Sequence, residues 1–314
     1  MPLFIDPALV PYVAVLPRTD VSDPVAARAR LVALRADRPP FEVPADLVRE
    51  RVTPAGVPAL AFRPAVAETG IRSAPPAALL PAVVYLHGGG FVMGDAEGDQ
   101  LLGAQLARAI GGLVLSLDYR LAPEHPYPAA HDDGYAVLRF VAENADALGV
   151  DPARIAVAGS SAGACVAAGI AIRARDEGGP ALAAQLLEIP VLDDRAETDS
   201  ARYEDTPLWT RTNMLDSWSH YLLGCGDAVP PYAAPARATD LSGLPPAYVG
   251  VCSADPLRDE GIEYARRLAD QGVPTELRMS PGLFHGATGM FPDVDACQRA
   301  RAALLDAAER LLRA

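Results

Sequence analysis

The chain of 314 residues has no lysine: all 27 of its basic residues are arginine. A phosphate-binding loop of the Walker type needs a lysine and is therefore excluded. Cysteine is scarce too. Cys165, Cys225, Cys252 and Cys297 are widely spaced, and no C-x-x-C pair exists to hold zinc or exchange disulfides. Cys165 and Cys252 lie in apolar runs and read as small buried hydrophobes, so neither a metal site nor a disulfide framework is expected. No segment reaches the ~20 apolar residues of a membrane helix. The first 20 residues lack an early basic residue, and Asp6, Pro7 and Pro11 interrupt their apolar stretch, which is unlike a signal peptide. A soluble cytoplasmic protein is expected. The formal net charge is −13, which disfavours nucleic acid and anionic membrane surfaces as partners.

What is present is an alternation. Short, mostly apolar runs recur at 82–87 (AVVYLH), 112–119 (GLVLSLDY), 154–160 (RIAVAGS), 182–192, 246–255 and 275–282. Helical stretches at 99–110 and 135–147 separate the first three, a pattern of βαβ units and a buried, mostly parallel sheet. Before them, 48–65 reads as two short strands joined by a turn at Ala55 and Gly56. Residues 22–36 (SDPVAARARLVALRA) read as an amphipathic helix. Ser22 or Asp23 is its N-cap, Pro24 its first residue, and Val25, Ala29, Val32 and Ala36 its apolar face. The last helix, from 294, places Ala300, Leu304, Ala308 and Leu311 on one face. Residues 193–236 break the alternation. They hold both tryptophans, a helix at 213–223 and a Pro-rich exit, and read as an insertion that packs with the N-terminal helix as a cap.

In "GSSAG" (159–163) the G-x-S-x-G spacing makes Ser161 the central serine, between an apolar strand and a helix of small residues. This is the setting of a nucleophile on a tight strand-to-helix turn. "HGGGF" (87–91) closes an earlier strand. Backbone N–H groups in so glycine-rich a loop can face a tetrahedral oxyanion unobstructed. Two of Gly88, Gly89 and Gly90, with the N–H of Ala162, are the expected oxyanion hole, and His87 a structural residue. A serine nucleophile needs a base and an orienting acid. Of the five histidines, His285 alone follows the last strand on a Gly-flanked loop. His125 and His131, beside Asp132 and Asp133, read as exposed loop polar residues, and His220 as a surface or lining residue. Asp255 lies just beyond a strand end, whereas Asp259 and Glu260 fall in a first helical turn, where the dipole favours acids.

"HGGGF", "DYRLAPEHPYPA" (118–129), "GSSAG", "DPLRDEG" (255–261) and "FHG" (284–286) together resemble the hormone-sensitive-lipase-like family of bacterial carboxylesterases. The resemblance spans 82–286. It implies an α/β-hydrolase fold: an eight-stranded, mostly parallel sheet with helices on both faces and a helical cap. It carries the nucleophile, acid and base roles to Ser161, Asp255 and His285, and a structural role to Arg120 and Glu124. The sequence departs from the family pattern twice. Ser160 stands where an acidic residue is often found, and Ala164 where a further glycine often follows.

The expected function is hydrolysis of short- to medium-chain acyl esters through an acyl-enzyme, with no metal or cofactor. Two alternatives use the same fold: an amidase or deacetylase with the same triad, and a ligand-binding receptor, which would lack the histidine. The expected partners are a small-molecule ester and, at most, a second copy of the chain in a homodimer. Expected boundaries are 1–47 and 193–236 for the cap, and 48–192 with 237–314 for the catalytic core. Candidate substrate-binding residues are Phe91, Ser160, Trp209, Met214 and Trp218, with Phe4, Tyr12 and Tyr221 as further pocket candidates.

Overall fold

A computed structural model describes residues 3–16, 19–36, 39–65, 79–226 and 228–313. Eight strands form one sheet: β1 (Leu47–Val52), β2 (Ala59–Pro64), β3 (Leu80–Leu86), β4 (Leu113–Leu117), β5 (Val150–Ser160), β6 (Ala184–Glu188), β7 (Ala247–Cys252) and β8 (Thr275–Ser280). Their order is β1-β2-β4-β3-β5-β6-β7-β8. β2 runs antiparallel to both neighbours, and every pairing from β4 across to β8 is parallel.

The helices are α1 (Val10–Val13), α2 (Pro24–Ala36), α3 (Gln100–Ile110), α4 (Ala129–Glu143), α5 (Ala145–Leu148), α6 (Ala162–Asp176), α7 (Arg211–Tyr221), α8 (Arg258–Asp270), α9 (Ala287–Met290) and α10 (Asp295–Leu312). Alternate residues of β3 serve two cores. Ala82, Val84 and Leu86 join the cluster that holds α4, α6 and α8. Val83 and Tyr85 join the one that holds α3 and α10. A strand buried on both faces needs apolar residues at nearly every position, which is why these strands read as continuous runs.

Helix α2 has the expected limits, and Asp23 caps it by accepting from the Ala26 N–H (3.0 Å). Its buried side is not the expected one. Val25 and Val32 are each 67% exposed, and Pro24 and Ala27 are buried instead. Arginines decide the orientation. The Arg28 guanidinium donates to Val92 O (2.7 Å) and Ala122 O (2.8 Å) and pairs with Glu124. Arg35 pairs with Asp95 (2.7 Å). A planar fork satisfied by backbone carbonyls and a carboxylate fixes a helix face more firmly than scattered alanines and valines do.

Helix α4 starts six residues earlier than its apolar pattern suggests. His131 and Asp133 are therefore buried on a helix, not exposed on a loop. Asp133 takes both the backbone N–H and the guanidinium of Arg120 (2.9 and 2.7 Å), which pins the segment after β4. Glu260 lies in the first turn of α8 as expected; it is buried there, and its Oε1 accepts the Leu192 N–H (2.6 Å). Helix α7 meets the N-terminal segment, with Asn213 Nδ2 donating to Thr19 O (2.9 Å) and His220 Nε2 to Val21 O (3.1 Å).

Candidate active site

The site lies at the carboxyl edge of the sheet, where β5 turns into α6. Ser161 is the N-cap of α6 with φ +54° and ψ −118°, a conformation that non-glycine residues rarely adopt. The flanking glycines permit the turn by close approach. A Cβ at Gly159 would lie 2.3 Å from the Gly163 carbonyl oxygen, and one at Gly163 would lie 2.1 Å from Leu86 O. Helix α6 thus starts in contact with the end of β3, and its N-terminus carries a positive field close to Ser161.

Ser161 Oγ lies 2.8 Å from His285 Nε2. His285 Nδ1 donates to Asp255 Oδ2 (2.8 Å), and Asp255 Oδ1 accepts the Leu257 N–H (2.9 Å). All three residues are buried, with Asp255 only 1% exposed. Asp255 follows β7, and His285 sits in the loop after β8. The adjacent strands β7 and β8 deliver Asp255 and His285, 30 residues apart, and β5, one strand beyond β6, delivers Ser161, 124 residues before His285.

The glycine loop lies alongside. A Cβ at Gly88 would sit 3.4 Å from Ser161 Cβ, one at Gly89 2.0 Å from Met93 O, and one at Gly90 2.7 Å from the Trp209 ring. Gly89 and Gly90 have φ +130° and +59°. Among the described residues, the N–H groups of Gly89, Gly90 and Ala162 have no protein acceptor. His87 supports this loop. It stacks on Tyr119 (4.3 Å between ring centroids), its carbonyl accepts the Tyr119 hydroxyl (2.7 Å), and burial lowers its pKa.

A pocket of about 320 Å³ reaches Ser161, His285 and the three glycines. Ser160 and Trp209 line it, and the Trp209 ring is 5.6 Å from that of His285. The other expected substrate contacts lie elsewhere. Phe91 stacks on Tyr221 (3.9 Å) and meets Trp218 (5.3 Å); with Met214 they form a buried core behind the glycine loop. Their helical spacing records packing of α7. Phe4 is 64% exposed, and Tyr12 packs on Phe291, so neither lines the pocket.

Residues not singled out in the sequence line it instead. Leu31 and Leu34 come from α2, and Leu101 and Leu102 from α3. Tyr85, Asp99, Glu188, Thr288 and Arg301 make a polar wall. Burial, with Asp99 second, raises the Tyr85 phenol well above its usual pKa, so it stays protonated and donates to Asp99 Oδ2 (2.8 Å). Two of these residues had a sequence signal: Glu188 interrupts the apolar run LLEIP, and Arg301 lies three residues before Leu304 and seven before Ala308, on their side of the last helix.

A family model described as alpha/beta hydrolase fold matches residues 83–289. The chain is 46% identical over 229 residues to esterase LipI of Mycobacterium tuberculosis, covering 72% of this chain and 71% of that protein. It is 39% identical to carboxylesterase NlhH of the same organism, over 99% of this chain and 97% of the relative. Among solved structures, a bacterial heroin esterase superposes with a TM-score of 0.90 at 40% identity, covering 99% of each chain.

Proposed function

The chain belongs to the α/β-hydrolase-fold family, in its hormone-sensitive-lipase-like branch, and is a carboxylesterase; on that premise we propose that Ser161 is its nucleophile, His285 its general base and Asp255 the acid that orients the base. The observation that carries this reading is the chain of two 2.8 Å hydrogen bonds, Ser161–His285–Asp255, of which Ser161 and His285 line the pocket.

His285 Nε2 takes the Ser161 proton as Oγ attacks the ester carbonyl. Asp255 fixes the tautomer with the proton on Nδ1 and stabilises the imidazolium. The N–H groups of Gly89, Gly90 and Ala162 receive the oxyanion, and their freedom from other acceptors means no competing bond must break first. His285 then protonates the leaving alcohol. A water activated by the same imidazole hydrolyses the acyl-enzyme. The receptor alternative fits poorly, because His285 is present and bonded on both sides.

The described residues of 1–47 and 193–236 act as a cap over those of the core, 48–192 and 237–314. The cap supplies Leu31, Leu34 and Trp209 to the pocket wall. A volume near 320 Å³ is at the small end of the ~300–1,000 Å³ range of small-molecule sites, which supports short- to medium-chain acyl esters. A series of p-nitrophenyl esters from acetate to palmitate tests this reading. The expected result is a maximum in kcat/KM at short or medium chains and a fall of ~10-fold or more for the longest. A rate that climbs steadily to palmitate would refute it.

Gly89→Ala tests the oxyanion assignment. The added methyl would collide with Met93 O at an unfavourable φ, so the loop must shift. A loss of ~100-fold or more in kcat is expected, with KM little changed. Wild-type turnover by a folded variant would remove this loop from the mechanism.

A further inference from the structure

His285 occupies a loop that turns at two glycines of positive φ, Gly282 (φ +72°) and Gly286 (φ +75°), followed by the four-residue helix α9. On the β7 side the loop is fastened by Asp255 through the imidazole and by the Ala254 N–H to Leu283 O (3.0 Å). On the β6 side it is fastened by a side-chain relay. Thr288 Oγ1 donates to Glu188 Oε1 (2.8 Å), and a guanidinium nitrogen of Arg301 donates to Thr288 O. Thr288 and Arg301 are buried, and Glu188 is accessible only in part and lines the pocket. The main chain of Glu188 makes a second contact: its carbonyl accepts the Ser161 N–H (2.8 Å).

We propose that Glu188 is a positioning residue of the esterase, its carbonyl holding the nucleophile turn and its carboxylate, through Thr288, holding the histidine loop. The proposal rests on the Ser161–His285–Asp255 reading. An apolar residue would fill this place more simply, as Leu186 and Leu187 do just before it. A partly desolvated carboxylate is costly unless it is bonded, and burial does raise the Glu188 pKa. What the carboxylate adds is direction. It sets Thr288, and hence the first turn of α9, relative to the strand that holds Ser161.

The same placement accounts for Ser160. It pairs in register with Glu188 across β5 and β6, on the same face of the sheet. Neighbouring parallel strands lie only ~4.8 Å apart. A carboxylate at 160 would stand beside the one at 188, and like charges so close oppose each other. In this chain the neutral residue before the nucleophile faces an acid on the next strand.

The test compares Thr288→Val, which keeps the shape and removes the donor, with Thr288→Ser, which keeps the donor. Turnover of p-nitrophenyl butyrate is read with thermal melting and with titration of active serines by a fluorophosphonate. The expectation is a ~10- to 100-fold loss of kcat in Thr288→Val with KM within about twofold, because misplacement of reacting groups slows chemistry more than binding. Thr288→Ser should restore most of that loss. A folded Thr288→Val with wild-type kcat, or a Ser variant as slow as the Val variant, would overturn the proposal. If Thr288→Val does not fold, Glu188→Gln and Glu188→Leu replace it. The amide oxygen of Gln still accepts from Thr288, so equal kcat in the two would also overturn the proposal. Ser161→Ala separates the premise: turnover surviving there sinks the triad reading itself.

Discussion

Ser161→Ala is expected to lose ~10⁴- to 10⁶-fold in kcat, leaving only the rate that binding and oxyanion contacts supply without a nucleophile. The measurement is steady-state hydrolysis of p-nitrophenyl butyrate, with melting temperature as the control for folding. The fold should survive, because among the described residues Oγ bonds only to His285. Stability should respond differently to glycine. Ser161 is held at φ +54°, which costs a residue with a Cβ on the order of 1–3 kcal/mol. Ser161→Gly removes that strain and should be as inactive as the alanine variant yet more stable than the wild type. An inactive glycine variant that melts well below the wild type would mean that the turn stores no strain. Retained turnover in either variant would remove Ser161 from the mechanism.

Asp255→Asn should cost roughly 10⁴-fold in kcat at neutral pH while leaving KM and the fold nearly intact. The reason is the second bond of Asp255. One carboxylate oxygen accepts the buried Leu257 N–H and the other accepts His285 Nδ1–H. An asparagine that keeps its oxygen toward Leu257 must turn its NH₂ toward Nδ1. That forces the proton onto Nε2, where the imidazole can no longer accept one from Ser161. The opposite orientation sets two buried donors against each other, at ~1–3 kcal/mol. The pH–rate profile and the melting temperature together check this. A variant with near wild-type kcat would show that Asp255 is not the orienting acid.

The chemistry was legible because it sits in short local patterns. G-x-S-x-G and the glycine triplet need particular residues at fixed spacing, since a Cβ at Gly89, Gly90, Gly159 or Gly163 would come within 2–3 Å of neighbouring atoms. Both strand runs and strand ends were legible, so the proposed base His285 and acid Asp255 could be singled out as candidates from their places just past β8 and β7. The pocket wall was not. Phe91, Met214 and Trp218 have the apolar character of a lining but pack into a core, while Leu31 and Leu101 of two distant helices form the wall. Apolar side chains carry no mark of which surface they will cover.

Helix α2 makes the same point about orientation. Its limits follow from Asp23, Pro24 and the prolines beyond it, yet its apolar spacing pointed the wrong way. The arginine contacts that turn it lie 60 to 96 residues along the chain. Ser160 could be seen only as a neutral residue until β6 brought Glu188 beside it. Local backbone constraints and functional groups were enough to read the fold class, the candidate reacting residues and the class of reaction from the sequence. Which faces are buried, what lines the pocket and what contacts the histidine loop emerged with the packing of the whole chain. Those depend on partners far along the chain, and periodicity within a segment carries no information about them.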